Sequence, residues 1–303
     1  MRIDIQQVSD IVAEVGRSII LPRWRNLQAH EIKEKSGPQD LVTIADHEAE
    51  ARLTPLLRDI LPGSLVLGEE GFASNPALLA NLQSDSPVWI IDPVDGTKNF
   101  SEGKEEFGTI IALVHRGETL AGWIHHPVTG DTMIVERGSG AFYRGKKLSM
   151  LPTAPLAQLY GTLGTRLHKP VARFPGPDPG PKFDMHRNVS CEVYVALLTG
   201  EKLFPNSPLD LPQRSFRVTL MGSKPWDDVA GVLAVREGGG EVINWAGQAY
   251  RPDMFDNGII AGSGLATCLE LREWLQAAYQ SAATRPSNSQ AHNMRKVSQQ
   301  TDI

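Results

Sequence analysis

Apolar residues recur every three or four positions near the start of the chain. The series consists of Ile5, Val8, Ile11, Val12, Val15 and Ile19. This spacing puts the side chains on one face and predicts an amphipathic helix from residue 4 to about residue 30. A second stripe predicts a helix that ends near Ile60, and Thr43 with Asp46 resembles a capping box at its start. That stripe is formed by Ala49, Leu53, Leu56 and Leu57.

Short apolar runs then alternate with turn sequences. The run in "LPGSLVLGEEG" predicts a short strand that ends in two glutamates, and "VWII" predicts a second strand. Residues 107–148 hold β-rich runs separated by tight-turn sequences, which predicts an antiparallel meander. Residues 174–181, "FPGPDPGP", predict a loop because proline lacks a backbone donor. Further along, we expect a helix from Trp226, a strand in "NGIIAGS" and a final helix in "LATCLELREWLQAAY".

Length and composition are those of a globular protein. The chain has 303 residues, of which 41% are hydrophobic and 21% are charged. We expect one unit over residues 1–280, with a first α+β half to about residue 150 and a second α/β half over about 151–280. Residues 281–303 are polar and nearly free of large apolar side chains, so this tail is expected to be disordered.

Charge and targeting signals narrow the classes of partner. The net charge is −5, so no basic field favours nucleic acid or an anionic membrane. The start of the chain lacks the pattern of a secretory signal, and no run has the roughly 20 apolar residues of a membrane span. The two cysteines, Cys191 and Cys268, form no metal or disulfide pattern. We therefore expect a cytoplasmic protein with no nucleic-acid or membrane partner.

Acidic residues stand at the ends of several apolar elements. They are Glu69 and Glu70 after "LVL", Asp92 and Asp95 after "WII", and Asp227 and Asp228 at the start of a predicted helix. Ligands gather at strand ends in α/β sheets. Carboxylates held together repel one another unless cations bind among them, and an all-oxygen cluster selects hard ions such as Mg²⁺. The pattern therefore predicts a metal site suited to phosphate chemistry.

The sequence "WIIDPVDGTKNF" also has a simpler interpretation. Asp-Pro and Asp-Gly are common turn dipeptides, and each aspartate alone could be a turn or cap residue. The functional interpretation is that the stiff turn aims Asp92 and Asp95 to one side and leaves the Val94 carbonyl free. Gly96 and Thr97 would then offer backbone N–H groups to a phosphate where a helix begins.

Three motifs together resemble the inositol monophosphatase family. They are "GEE" at 68–70, "WIIDPVDGTKNF" at 89–100 and "WDDVAG" at 226–231, and the likeness extends from "KSGPQDLVTIADHEAE" to "EGGGEV". The family consists of Mg²⁺-dependent, typically lithium-sensitive phosphomonoesterases. The resemblance implies an α/β (α+β) fold, a layered α-β-α-β-α sandwich of the inositol monophosphatase and fructose-1,6-bisphosphatase type. Because the family commonly forms dimers, a homodimer is a further expectation.

The resemblance implies which residues hold metal. Glu69, Asp92 and the Val94 carbonyl would hold a first Mg²⁺. Asp92, Asp95 and Asp227 would hold a second, with Asp92 bridging the two. The total expected is two or three Mg²⁺ ions.

It also implies the residues that act on the substrate. Thr97 paired with Asp40 would orient and deprotonate the attacking water, since threonine alone is a weak base. The N–H groups of Gly96 and Thr97 would bind the phosphate. Glu70 would assist through a metal-bound water, or support the metal ligands from outside the site.

The stretch "RVTLMGSKPWD" departs from the animal members of the family. No carboxylate lies between Arg217 and Asp227, where a glutamate of those members contacts inositol hydroxyls. We therefore expect hydrolysis of a small phosphorylated metabolite, either inositol monophosphate-like or a sugar phosphate. The alternatives are a 3′-phosphoadenosine 5′-phosphate nucleotidase, a fructose-1,6-bisphosphatase or a histidinol-phosphatase. A non-catalytic metal-binding scaffold is disfavoured, since it should have lost a metal carboxylate or Thr97.

Overall fold

The structure, a computed structural model, describes residues 3–37, 40–174, 176, 180–185, 189–201, 214–255 and 257–284. Its helices are α1 (Ile5–Val15), α2 (Leu21–Arg23), α3 (Ile44–Ile60), α4 (Glu69–Ser74), α5 (Thr97–Ser101), α6 (Thr165–Ala172), α7 (Ser190–Thr199), α8 (Pro225–Glu237) and α9 (Leu265–Thr284). A π-helical segment, Gly16–Ile20, joins α1 to α2, and short 3₁₀ helices span Ala29–Glu31, Pro76–Gln83 and Leu156–Gln158.

The strands of the larger sheet are β3 (Leu65–Gly68), β4 (Val88–Asp95), β5 (Gly108–His115), β6 (Glu118–His126), β7 (Asp131–Glu136), β8 (Gly140–Tyr143) and β9 (Lys146–Lys147). They lie side by side in chain order. β3 runs parallel to β4, and every later pair is antiparallel. This pairing confirms the predicted meander. It forms because residues 107–148 alternate apolar runs with turns that are too short for a crossover connection.

A hairpin and a smaller mixed sheet complete the β structure. Their strands are β1 (Ile32–Gly37), β2 (Asp40–Thr43), β10 (Tyr160–Leu163), β11 (Lys182–Asp184), β12 (Phe216–Thr219), β13 (Glu241–Ile243) and β14 (Ile259–Gly262). β1 and β2 pair with each other. The smaller sheet has the order β11-β10-β12-β14-β13. β10 is parallel to its neighbours β11 and β12, whereas β14 is antiparallel to its neighbours β12 and β13.

Helices and sheets alternate in five layers. One apolar cluster packs α1 and α3 against one face of the larger sheet around Leu53, Trp89 and Trp123. The opposite face packs against α7 and α8, and α8 also contacts β13 and β14. α6 and α9 cover the far side of the smaller sheet around Phe216 and Leu271. This order confirms the predicted α-β-α-β-α sandwich, in which each layer buries the apolar side of the next.

The predicted helices differ from the observed ones at their ends. The first helical path stops at Arg23 instead of near residue 30, because Arg25 adopts a left-handed φ of +62° that a helix cannot contain. The last helix continues to Thr284, so residues 281–284 of the predicted tail are helical. The rest of that tail, 285–303, lies outside the described residues, as do 175 and 177–179 of the predicted loop. Among the described helices, none combines the length and apolar character required to span a bilayer.

Candidate active site

Three aspartate side chains meet where β4 ends and α8 begins. One carboxylate oxygen from each of Asp92, Asp95 and Asp227 lies within 4.8 Å of the other two. Residues three apart on a regular strand face opposite sides, but the pairing of β4 with β5 shifts between Asp92 and Asp95. Such a bulge re-aims side chains, so both aspartates can contribute to one cluster. The first turn of α8 supplies Asp227.

This cluster has the electrostatics of a cation site. Burial, followed by repulsion from neighbouring carboxylates, raises the pKa of Asp92 and Asp227 well above the usual range of aspartate. The Oδ1 atom of Asp92 is buried and has no hydrogen-bond partner among the described residues. Burial also raises the pKa of Asp95, although its Oδ2 accepts a hydrogen bond from the Cys191 N–H at 2.6 Å. Carboxylate oxygens held this close together, with Asp92 Oδ1 left unpaired, fit a hard divalent cation such as Mg²⁺.

The chain turns sharply directly after the second aspartate. Gly96 has a φ of +87° and precedes the first residue of α5. A Cβ atom there would lie 2.8 Å from both the Glu106 carbonyl oxygen and a Val189 methyl carbon. Glycine is therefore required by both the backbone angle and the space. The turn places the start of α5 next to the three aspartates.

The carboxylate nearest to the Thr97 hydroxyl is one to which sequence reasoning assigned another role. The Thr97 hydroxyl lies 3.2 Å from Asp46 Oδ1 and 3.0 Å from the Val94 carbonyl oxygen. The predicted partner, Asp40, lies at the start of β2 and lines the same cavity. Asp46 does form the predicted capping box, since its Oδ2 accepts from both the N–H and the hydroxyl of Thr43. Its second oxygen is thereby directed at Thr97, and sequence reasoning gave this carboxylate only the capping role.

The two glutamates of the "GEE" motif share a lysine. Lys35 of β1 places its Nζ 2.8 Å from Glu69 Oε1 and 2.5 Å from Glu70 Oε1. Glu69 lines the cavity with the aspartates, whereas Glu70 is buried beside Lys35. The attraction of the two glutamates raises the pKa of Lys35 despite its burial, so this side chain is a cation at the edge of the acidic cluster. The sequence reasoning did not find Lys35, which lies 34 residues before Glu69.

A carboxylate of α3 holds the backbone of the "GEE" motif through hydrogen bonds. Glu50 accepts hydrogen bonds from the N–H groups of Glu70 at 2.9 Å and Gly71 at 2.7 Å. It therefore satisfies two of the free donors at the start of α4. A Cβ atom at Gly68 would lie 2.2–2.4 Å from the Glu50 carboxyl group, which explains the glycine of the motif. Asp46 and Glu50 are four residues apart and so lie on one face of α3. This spacing was the sequence signal that could have identified both as carboxylates directed toward the site.

One cavity of about 290 Å³ collects most of the predicted residues. Its lining includes Asp40, Glu69, Asp92, Val94, Asp95, Gly96, Thr97 and Asp227. The predicted residue outside this lining is Glu70, which is paired with Lys35. The five carboxylates share the lining with two cations, Lys98 and Arg217.

Arg217 belongs to a buried network that sequence reasoning missed. Its Nη2 donates to Ser190 Oγ at 2.8 Å and lies 3.2 Å from Asp228 Oδ1. Asp228 also accepts from the hydroxyls of Tyr194, at 2.8 Å, and Ser223, at 2.6 Å. This second aspartate of "WDD" is buried and anchors the start of α8, which positions Asp227.

Comparison with known proteins identifies the family. A sequence profile described as "Inositol monophosphatase family" matches residues 4–177. The chain belongs to the inositol monophosphatase family. This confirms the resemblance carried by the three motifs, two of which lie inside the matched range.

Individual relatives cover most of the chain. A Thermotoga maritima protein named fructose-1,6-bisphosphatase/inositol-1-monophosphatase is 29% identical over 254 residues, covering 82% of this chain and 90% of the relative. A Caulobacter vibrioides inositol-1-monophosphatase is 34% identical over 215 residues, covering 69% and 77% respectively. A solved structure of a Thermotoga maritima IMPase is 25% identical with a TM-score of 0.69, covering 90% of this chain and 96% of the other.

Proposed function

We propose that this protein is a Mg²⁺-dependent phosphomonoesterase that hydrolyses a small phosphorylated metabolite. The observation that carries the proposal is the cluster of three aspartates, two of them buried, with an unpaired Asp92 oxygen, next to the Thr97–Asp46 contact. Family membership and the names of the relatives support the same reaction. We also propose that residues 1–280 act as one catalytic unit, because α8 contacts both sheets.

The metal ligands we propose are Glu69, Asp92, Asp95, Asp227 and the Val94 carbonyl, which together would hold two or three Mg²⁺ ions. When bound, Mg²⁺ neutralises the carboxylates and the phosphate and lowers the pKa of water. The Val94 carbonyl oxygen has two lone pairs, so it can serve as a ligand although the Thr97 hydroxyl lies 3.0 Å from it.

The proton-handling pair we propose is Thr97 with Asp46, in place of Thr97 with Asp40. The Thr97 hydroxyl can accept a proton from the attacking water while its own proton passes to Asp46 Oδ1, 3.2 Å away. The backbone N–H groups of Gly96 and Thr97 are proposed to hold the phosphate oxygens. Inhibition by Li⁺, a cytoplasmic location and a homodimer remain predictions from the family resemblance.

The test is phosphate release from a panel of esters with and without Mg²⁺. The panel contains inositol 1-phosphate, fructose 1,6-bisphosphate, histidinol phosphate and 3′-phosphoadenosine 5′-phosphate. We expect Mg²⁺-dependent release that Asp92→Asn lowers by about 10²-fold or more, because a charged ligand of the transition state is lost. Asp59→Asn, at an exposed position of α3, is the matched control and should retain activity. Release that is independent of Mg²⁺, or equal in both variants, would refute the proposed site.

A further inference from the structure

Two helices begin at the cavity that holds the aspartate cluster. α7 begins at Ser190, which lines this cavity, and α8 carries Asp227 in its first turn. The N–H of Cys191, the second residue of α7, donates to Asp95 Oδ2 at 2.6 Å. Each helix start is therefore joined to one of the clustered aspartates: α7 through a hydrogen bond to Asp95, and α8 through the chain itself.

One side chain of the smaller sheet contacts both helix starts. Arg217 of β12 donates from Nη2 to Ser190 Oγ at 2.8 Å, and the same nitrogen lies 3.2 Å from Asp228 Oδ1. Ser190 directly precedes Cys191, and Asp228 directly follows Asp227. Each contact of Arg217 is thus one residue away from a clustered aspartate or from the N–H that holds one.

The guanidinium group of Arg217 is held on several sides. Its carbon lies 4.6 Å from the centre of the Tyr194 ring. The hydroxyl of Tyr194, which belongs to α7, donates to the same Asp228 oxygen at 2.8 Å. The side chains of Arg217 and Asp228 are 9% and 1% exposed. A planar guanidinium that packs on a ring and donates to two oxygens has little freedom to move.

Stability alone does not account for this buried ion pair. Burying two charges costs desolvation free energy that their attraction often only offsets, so such a pair contributes little net stability, although removing one partner leaves a costly unpaired charge. Charge alone does not account for the pair either, because a cation in the lining of the cavity repels Mg²⁺. What the pair provides is a fixed spacing between the starts of α7 and α8.

We propose that Arg217 is a positioning residue of the metal centre. It holds Asp95 and Asp227 at the separation that binds Mg²⁺, acting on Asp95 through the start of α7 and on Asp227 through Asp228. The inference rests on the proposed phosphatase function, in which these aspartates are metal ligands. Its consequence is that Arg217 raises the affinity for Mg²⁺ although both carry positive charge.

The experiment measures the affinity for Mg²⁺ by isothermal titration calorimetry at constant pH, without substrate. Arg217→Met removes the charge and both hydrogen bonds but keeps a long, unbranched side chain. We expect the affinity for Mg²⁺ to fall by about 10- to 100-fold, as when a group that orients a metal ligand is lost. Ser190→Ala removes one of the two contacts and no charge, so it should weaken Mg²⁺ binding severalfold.

Two further variants separate positioning from charge and from stability. Arg217→Met/Asp228→Asn removes both charges of the pair, so their effects on Mg²⁺ largely cancel, whereas the alignment is still lost. We expect this double variant to bind Mg²⁺ as weakly as Arg217→Met. The matched control is Arg214→Met, which breaks a second buried ion pair, with Asp184 at 2.8 Å, outside the lining of the cavity. It should lower the midpoint of urea denaturation and leave the affinity for Mg²⁺ unchanged.

Several outcomes would overturn the inference. The first is an affinity for Mg²⁺ that rises in Arg217→Met and returns to the wild-type value in the double variant, since that is a charge effect. Equal losses in Arg217→Met and Arg214→Met would assign the effect to stability instead. If Arg217→Met does not fold, an unchanged affinity in Ser190→Ala and in the double variant overturns the inference. A wild-type protein that does not bind Mg²⁺ would refute the proposed metal site as well, whereas wild-type binding with unchanged variants would overturn the role of Arg217 alone.

Discussion

Replacing Glu50 with glutamine should raise the free energy of unfolding of the metal-free protein, relative to the wild type, as the pH rises. Burial, opposed by hydrogen bonds from the N–H groups of Glu70 and Gly71, raises the pKa of Glu50 from 4.5 to about 7. In the unfolded chain the same carboxyl ionises near pH 4.5. Between these values the folded state holds a proton that the unfolded state has released, so the free energy of unfolding falls as pH rises.

The size of the effect follows from the shift. A full pKa unit corresponds to about 1.4 kcal/mol. Over most of the interval between pH 5 and pH 7, Glu50 is protonated in the folded state and ionised in the unfolded chain. Its contribution therefore falls by about 2 kcal/mol across that interval. Glutamine does not titrate, but it has one acceptor oxygen where Glu50 has two, so one of the N–H groups of Glu70 and Gly71 loses its acceptor at every pH. That loss is a constant offset. The free energy of unfolding of Glu50→Gln minus that of the wild type should therefore be about 2 kcal/mol larger at pH 7 than at pH 5.

The assay is urea denaturation of both proteins in EDTA at several pH values. The quantity to compare is the difference in the free energy of unfolding between Glu50→Gln and the wild type, because other groups titrate as well. His125 and His126 are buried, which lowers the pKa of each to about 4, so they stabilise the protein as pH rises. Their effect is common to both proteins and cancels. A difference that stays constant or reverses from pH 5 to pH 7 would refute the reasoning.

Two further substitutions test the site and its support. Asp46→Asn should lower kcat by about 10²-fold or more, because a proton acceptor is lost. Asp40→Asn should lower kcat by a smaller factor. If steady-state kinetics give the opposite order, Asp40 is the partner of Thr97. Gly231→Ala should cost about 1–3 kcal/mol, because its Cβ would lie 2.2 Å from the Tyr194 ring. Gly264→Ala, where a Cβ meets nothing within 4 Å, is the control in thermal denaturation, and equal midpoints would contradict the packing argument.

The sequence predicted the cluster of aspartates well, for a local reason. Asp92, Asp95 and Asp227 each stand at the end of an apolar element, and such ends converge at one side of an α/β sheet. The meander was equally predictable from the sequence, because antiparallel strands joined by tight turns show their alternation of apolar runs and turn residues in contiguous residues. In both cases the information lies in short stretches of chain.

The supporting residues were harder to find because their contacts join distant segments. Lys35 meets Glu69 and Glu70 across 34 and 35 residues, and nothing near Lys35 in the sequence marks it. Asp46 was assigned to helix capping, which is correct but incomplete, since a carboxylate has two oxygens and each can take a different partner. Only the tertiary fold shows that the second oxygen faces Thr97.

The strand-borne acids and the arginine that line the cavity come from different sheets. The larger sheet contributes the acids at the ends of β3 and β4, and the smaller sheet contributes Arg217 from β12. α8 lies between the sheets, and successive helical residues point about 100° apart. Asp227 therefore faces the aspartates while Asp228, next in sequence, accepts from Arg217 at 3.2 Å. The paired aspartates of "WDD" thus have separate tasks: Asp227 joins the aspartate cluster, and Asp228 pairs with Arg217.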